Sequence, residues 1–129
     1  MGHRFRGRFH VGIAVHPGMR THRQVLPEFT VVQHERDVQL LHALKSFFGC
    51  GVVRSNHGDR AAYRVRKRSD LLRTIVPFFL DHPLQSRKRG DFELFRRVLM
   101  MMEQDVHLTW SGVEKVRALA AQMNRGRSR

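Results

Sequence analysis

Two stretches near the start of the chain alternate apolar and polar residues with a strict period of two, and at Glu35 the pattern switches to a helical period. Over residues 8–16, RFHVGIAVH, the side chains of Phe9, Val11, Ile13 and Val15 fall on one face. Arg8, His10, Gly12, Ala14 and His16 fall on the other. Successive side chains of a strand point to opposite faces, so this is a half-buried strand with a polar side. Pro17-Gly18 breaks it, and residues 18–24 read as a basic connecting loop. Residues 25–34 alternate again, with Val25, Phe29 and Val31 inward and Leu26, Glu28, Thr30 and Val32 outward. Pro27 removes a backbone donor from this second strand, which places it near an edge or a strand start. One-sided strands must cover one sheet face and leave the other in water. That requirement constrains the rest of the chain.

From Glu35, Val38, Leu41, Leu44 and Phe48 recur along one helical stripe, which Leu40 and Phe47 widen. Glu35 and Asp37 suit the positive end of the helix dipole, Lys45 suits the negative end, and Gly49 supplies a left-handed stop. Residues 51–56 and 62–67 flank an HGDR turn and predict a second hairpin. Its outer face carries Val52, Arg54 and Asn56 on one strand and Ala62, Arg64 and Arg66 on the other, over a core face with Ala61, Tyr63 and Val65. Ser69 is a good N-cap for a helix with Leu71, Leu72, Ile75, Val76 and Phe79, which Pro77 should kink or end early. HPLQSRKRG reads as a basic connector before a helix over residues 91–104 with a stripe of Phe92, Phe95, Val98, Leu99 and Met102. The Met100–Met102 run is expected in its core. Thr109 caps a last helix carrying Val113, Val116, Leu119, Ala120 and Met123, with Trp110 as a packing anchor and residues 126–129 as a tail. The resulting order, β-β-α-β-β-α-α-α, predicts an α+β domain over residues 1–129. It is built on one four-stranded antiparallel, saddle-like sheet with helices on one face and a basic polar surface on the other.

Charge narrows the function. Lys and Arg number 24 against 11 acidic residues, a formal charge of +13, and the usual compensation for such self-repulsion is a polyanion. The polar sheet face is suited to lie along a DNA groove. The single Cys50 rules out an internal disulfide framework and a cysteine zinc site, which suits a reducing cytoplasm or an organelle interior, and its glycine-bracketed turn suggests a structural role. No apolar run approaches a membrane span. Nine histidines form no metal-ligand motif of the HExxH kind.

Several segments together resemble the single-motif LAGLIDADG homing endonucleases. They are LPEFTVVQHERD, the FFGCG turn into VVR, the YRVRK strand, and HPLQSRKRGDFELF leading to HLTWSGVEKVRALAAQMNRG; the likeness runs over residues 7–125. The resemblance implies an αββαββα fold with trailing helices, whose sheet sits in the DNA major groove. On it, double-stranded DNA would be contacted by Arg8, His10 and His16, by Glu28, Thr30 and Val32, and by Arg54, Asn56, Arg64 and Arg66. The alternation selects the same faces. Any one of these arginines would serve a guanine edge or a phosphate. Gln33 falls where the family keeps a glutamine that positions the attacking water. Arg87 and Lys88 fall where it keeps a lysine beside the scissile phosphate, and Arg87, the better match, would keep the charge without the geometry.

The family's motif helix makes its homodimer and ends in an acid that binds Mg²⁺. The resemblance places Arg6 at that acid and Gly7 at the glycine after it, and no Asp or Glu precedes Glu28. Residues 1–6 therefore read as a degenerate motif, with no metal held, no cofactor as written, and no dimer helix. Codons for residues 1–7 read one nucleotide later can spell Trp-Gly-Ile-Asp-Phe-Glu-Gly, which suggests an ancestral motif in another frame. The expectation is DNA binding without cleavage, by a monomer or by a dimer held through other surfaces, with an apolar patch beside Phe5 and Phe9. The alternatives are an active Mg²⁺-dependent endonuclease drawing its metal ligands from elsewhere, and an RNA-binding, maturase-like protein. No membrane partner is expected.

Overall fold

The computed structural model describes residues 6–124. Along them run β1 (Gly7–Val15), β2 (Arg23–His34), a 3-10 turn (Glu35–Asp37), α1 (Val38–Phe48), β3 (Val52–Ser55) and β4 (Arg60–Val65). There follow α2 (Arg68–Asp70), a π-helical turn (Leu71–Ile75), α3 (Val76–Asp81), α4 (Ser86–Glu103), a 3-10 turn (Val106–Leu108) and α5 (Trp110–Gln122). The strands form one antiparallel sheet in the order β1-β2-β4-β3. This is the expected α+β class, with the expected element order.

Register aligns the apolar faces. Phe9 pairs with Phe29, Phe29 with Val65, and Tyr63 with both Val31 and Val53. Because side chains alternate, one such pairing places every odd-numbered residue of these strands on the same side. There they meet Leu41 of α1, Leu71 and Ile75 of the π turn, Phe79 of α3, Phe92, Phe95, Val98 and Leu99 of α4, and Val116 of α5. At the centre the ring of Phe9, fully buried, lies 5.2–5.5 Å from those of Phe29, Phe79, Phe92 and Phe95.

The α1–β3 turn is the tightest point of the fold. Gly49 and Gly51 both have positive φ, 73° and 89°, and a Cβ on Gly51 would lie 2.7 Å from the Tyr63 ring and 2.8 Å from the Arg64 carbonyl oxygen. The Tyr63 hydroxyl donates to the Cys50 carbonyl at 2.8 Å, closing the turn onto β4. Burial pushes the phenol's pKa up, helped by neighbouring Cys50 and Asp70, so Tyr63 stays protonated and keeps donating.

Pro27 sits in a central strand yet meets its requirement. β4 ends opposite Phe29, so at Pro27 the strand is paired only to β1, through Val11. Elsewhere the structure departs from local expectation. Val15 is 71% exposed, because β1 outruns the core. Leu40 and Phe47 are exposed rather than part of the α1 stripe, which leaves Leu41 as that helix's one fully covered side chain among the described residues. Ser69 does not cap its helix: Lys67 holds that position with no side-chain hydrogen bond. Pro77 does not end it either. The segment runs on to Asp81, and the π turn ends at Ile75, two positions before the proline. A widened turn there takes up the ring's clash with the preceding carbonyls.

α4 begins at Ser86, inside what reads as a connector. Arginines in a first turn oppose the helix dipole and Gly90 has low propensity, so tertiary contact, not local preference, makes that turn helical. Trp110 is 60% exposed and no packing anchor; in the methionine run only Met102 is fully buried, and Met100 is exposed. The apolar patch does not involve Phe9, and Phe5, with the rest of residues 1–5 of the codon-frame segment and residues 125–129, lies outside the described residues.

Candidate nucleic-acid interface

The even-numbered residues of the strands face away from the helices and form rows across the sheet. One row runs Arg8, Thr30, Arg64, Val52; the next pairs His10 with Glu28, beside Arg66 just past the end of β4; another runs Val32, Ala62, Arg54. Arg8, His10, Arg54 and Arg66 are exposed, and Glu28, Val32, Asn56 and Arg64 are half-buried. Thr30, expected on the open surface, is buried at 9% exposure, because Arg8 and Arg64 flank it on both neighbouring strands. His16 lies beyond β1 in the turn, where its Nδ1 accepts from the Gly18 N–H at 3.2 Å.

A single polar network ties the centre of this face together. Arg66 Nε donates to Glu28 Oε1 at 2.6 Å, and the Thr30 hydroxyl donates to Oε2. Arg64 Nη2 donates to Asn56 Oδ1 at 2.8 Å, while its Nε lies 3.5 Å from Glu28 Oε2 in an ion pair too long for a good hydrogen bond. Burial raises the Glu28 pKa, but the Thr30 hydroxyl, Arg66 and Arg64 outweigh it and hold the carboxyl below its usual value. Glu28 is therefore ionised at neutral pH. Residues 38 apart in sequence meet here, so no local pattern in the chain signals the contact.

A second cluster gathers at the far end of β1. An open apolar groove of about 430 Å³ runs between α1 and the sheet, lined by Leu40, Leu44, Phe47 and Phe78 and reaching Arg6, Gly7 and Gln33. The Lys88 ammonium donates to the Gly7 carbonyl at 2.7 Å. Gln33 and Gly7 thus line the same groove, and Lys88 reaches the Gly7 carbonyl. Arg87, one residue earlier on α4, instead borders a separate cleft with Asp91, Arg97 and Gln122. Lys88 is thereby tied to this end of the sheet.

Among the described residues, the groove around Gly7 brings no carboxylate, the charged donor that a hard divalent cation takes alongside carbonyl and water oxygens. Arg6 and Lys88 bring a guanidinium and an ammonium, and Gln33 a neutral amide. Glu28 is engaged by two arginines on the opposite face. Among the described residues no three His, Cys, Asp or Glu side chains come together as a metal site.

The LAGLIDADG endonuclease family model matches residues 6–99. The homing endonuclease I-TnaI is 52% identical, with a TM-score of 0.89 over 95% of this chain and 82% of its own. The meganuclease I-SmaMI, solved bound to uncleaveable DNA, is 32% identical with a TM-score of 0.90, over 95% of this chain and 42% of its own. The probable intron-encoded endonuclease 2 of Neurospora crassa is 29% identical over 89 residues, or 68% of this chain and 20% of its length. An uncharacterised 50.9 kDa protein in ND4 intron 1 of Podospora anserina is 31% identical over 106 residues, or 80% of this chain and 23% of its length. The chain spans about a fifth of the length of the curated relatives it matches.

Proposed function

From the chain's membership of the LAGLIDADG endonuclease family, we propose that its outward sheet face binds double-stranded DNA in the major groove, and that the chain with this sequence binds without cutting. One observation carries the binding half: the outward strand positions bring Arg8, His10, Arg54, Arg64 and Arg66 together with one carboxylate, Glu28. A two-stranded or larger β surface fits the major groove, where arginine reads guanine O6 and N7 with two parallel hydrogen bonds. Arg8 and Arg54, exposed and without a carboxylate partner among the described residues, serve phosphates or guanines. His10, Val32 and Asn56 complete the contact surface, Val32 offering apolar contact to a thymine methyl.

The cluster at Gly7 supports the second half. Hydrolysis in this family needs a metal to activate water and stabilise the leaving oxygen, and Arg6, Lys88 and Gln33 supply no hard anionic ligand. On this reading Arg6 and Lys88 grip a backbone phosphate, with Lys88 held in place by the Gly7 carbonyl. Leu40 and Phe47 beside it are exposed apolar surface among the described residues; with Arg6 where the family keeps its motif acid, the reading expects a monomer or a dimer held by other surfaces, which sedimentation at micromolar concentration measures.

The deciding experiment incubates the chain with a randomised duplex library, with Mg²⁺ and with EDTA, and reads both retention and nicking. Retention of duplex over structured RNA, unchanged by Mg²⁺ and without nicks, is the expected result. Mg²⁺-dependent nicking overturns the non-cleaving half, and equal or tighter binding to structured RNA points to the RNA-binding reading.

A further inference from the structure

We infer that Glu28 is not a base reader but a positioning residue, whose carboxylate orients Arg66 so that the end of its guanidinium is presented to a guanine. This rests on the DNA-binding reading above. A carboxylate on a surface built for a polyanion costs affinity with every nearby phosphate, so its presence calls for a compensating role. Direct readout is the usual one, with Glu accepting from cytosine N4. Here both oxygens already have partners within the sheet: Oε1 accepts from Arg66, and Oε2 from the Thr30 hydroxyl, with Arg64 at longer range. The Glu28 side chain is only 18% exposed, against 69% for Arg66. A cytosine amino group would meet a carboxylate already largely covered by the guanidiniums and the Thr30 hydroxyl.

The geometry leaves Arg66 a defined task. Its bond to Glu28 uses Nε, the inner edge of the guanidinium. Neither of its Nη nitrogens has a hydrogen-bond partner among the described residues, and those two form the fork that matches guanine O6 and N7. Anchoring one edge removes most of the rotamers a free arginine would lose on binding. Arg64 is held differently. Glu28 flanks its Nε and Asn56 takes its Nη2, so it serves the network as a strut, half-buried between them. The face thus holds one arginine aimed outward and one kept in plane, both referred to the same carboxylate.

The test begins with selection of the preferred duplex by the wild-type chain. Affinities are then measured for that site, for each single-base-pair variant and for unrelated duplex, over a range of salt, with Glu28→Gln, Arg66→Lys and the double variant. Glu28→Gln is expected to bind unrelated duplex more tightly, with a steeper salt dependence, because a freed Arg66 can take a phosphate. Its discrimination should fall about tenfold at one guanine-containing base pair, the same pair at which Arg66→Lys loses discrimination. The double variant should show no further loss at that pair. If Glu28→Gln relaxes a base pair that Arg66→Lys leaves intact, Glu28 reads a base itself and the inference is wrong. Unchanged discrimination in Glu28→Gln also overturns it. Should Glu28→Gln fail to fold, Arg66→Lys and Thr30→Val decide the matter: loosening the carboxylate through Thr30→Val must weaken the same base pair, and a loss elsewhere refutes the role. A wild-type chain that selects no duplex at all is a separate outcome, and removes the DNA-binding reading itself.

Discussion

Replacing Phe9 with alanine separates the two faces of β1 most cleanly, because Phe9 stands between Arg8 and His10 yet contributes only to the core. The ring is fully buried and touches four other aromatic rings from three elements. Truncating a phenylalanine in such a setting costs about 3–5 kcal/mol, the sum of lost transfer energy and the cavity left behind. The unfolding entropy of a 129-residue domain is about 270 cal/mol/K near its midpoint, so about 4 kcal/mol lowers Tm by about 15 °C. Phe47→Ala is the control. That ring also meets two aromatic neighbours, Phe48 and Phe78, but is 67% exposed, and its loss should cost about 1 kcal/mol or less, under about 4 °C. Thermal melts followed by far-UV circular dichroism measure both. A shift under about 5 °C for Phe9→Ala would refute Phe9 as the centre of the core. Equal shifts for the two variants would mean that the groove beside α1 is filled in solution, contrary to its exposure.

Other substitutions probe the site and its supports. Lys88→Met removes the ammonium from the Gly7 carbonyl; the proposal expects the salt slope of DNA binding to fall by about 0.9, one phosphate contact, and an unchanged slope would remove Lys88 from the interface. Gly112→Ala should destabilise by about 2 kcal/mol or more, because a Cβ there would lie 1.6 Å from the Val106 carbonyl oxygen at the start of α5; an unchanged Tm would contradict that packing. His107 is buried, and its burial, with Arg68 nearby, lowers its pKa and keeps it neutral in the fold. The unfolded chain then takes up the proton first, so stability is full above about pH 6.5 and declines as pH falls toward the lowered folded value. Urea melts from pH 7.5 to 5 should show a shallower decline in His107→Gln, and parallel curves would exclude His107 as the cause.

How much of this was legible in the chain depends on the range over which each feature is encoded. Alternation in residues 8–16 and 25–34 determined which side chains share a face, because the strand period is set by backbone geometry alone. The same local chemistry marked the Gly49–Gly51 turn and the Thr109 cap, whose hydroxyl does accept from the Gly112 N–H at 3.0 Å. Arg8, His10, Arg54 and Arg66 were found on the open face by this rule without any knowledge of what they touch. The rule failed where coverage depends on neighbours. Thr30 has the outward parity and is nonetheless buried, since only strand order puts an arginine on each side of it. Leu40 and Phe47 belong to the apolar stripe by spacing but face an open groove, because burial needs a partner element and spacing cannot supply one. The first turn of α4 is helical against its own dipole and its glycine. The Glu28–Arg66 contact, the Lys88–Gly7 contact and the π turn that lets a helix pass Pro77 were decided by the tertiary structure alone. Each depends on which distant segments the sheet order brings within a few ångströms, and short-range periodicity holds no record of that.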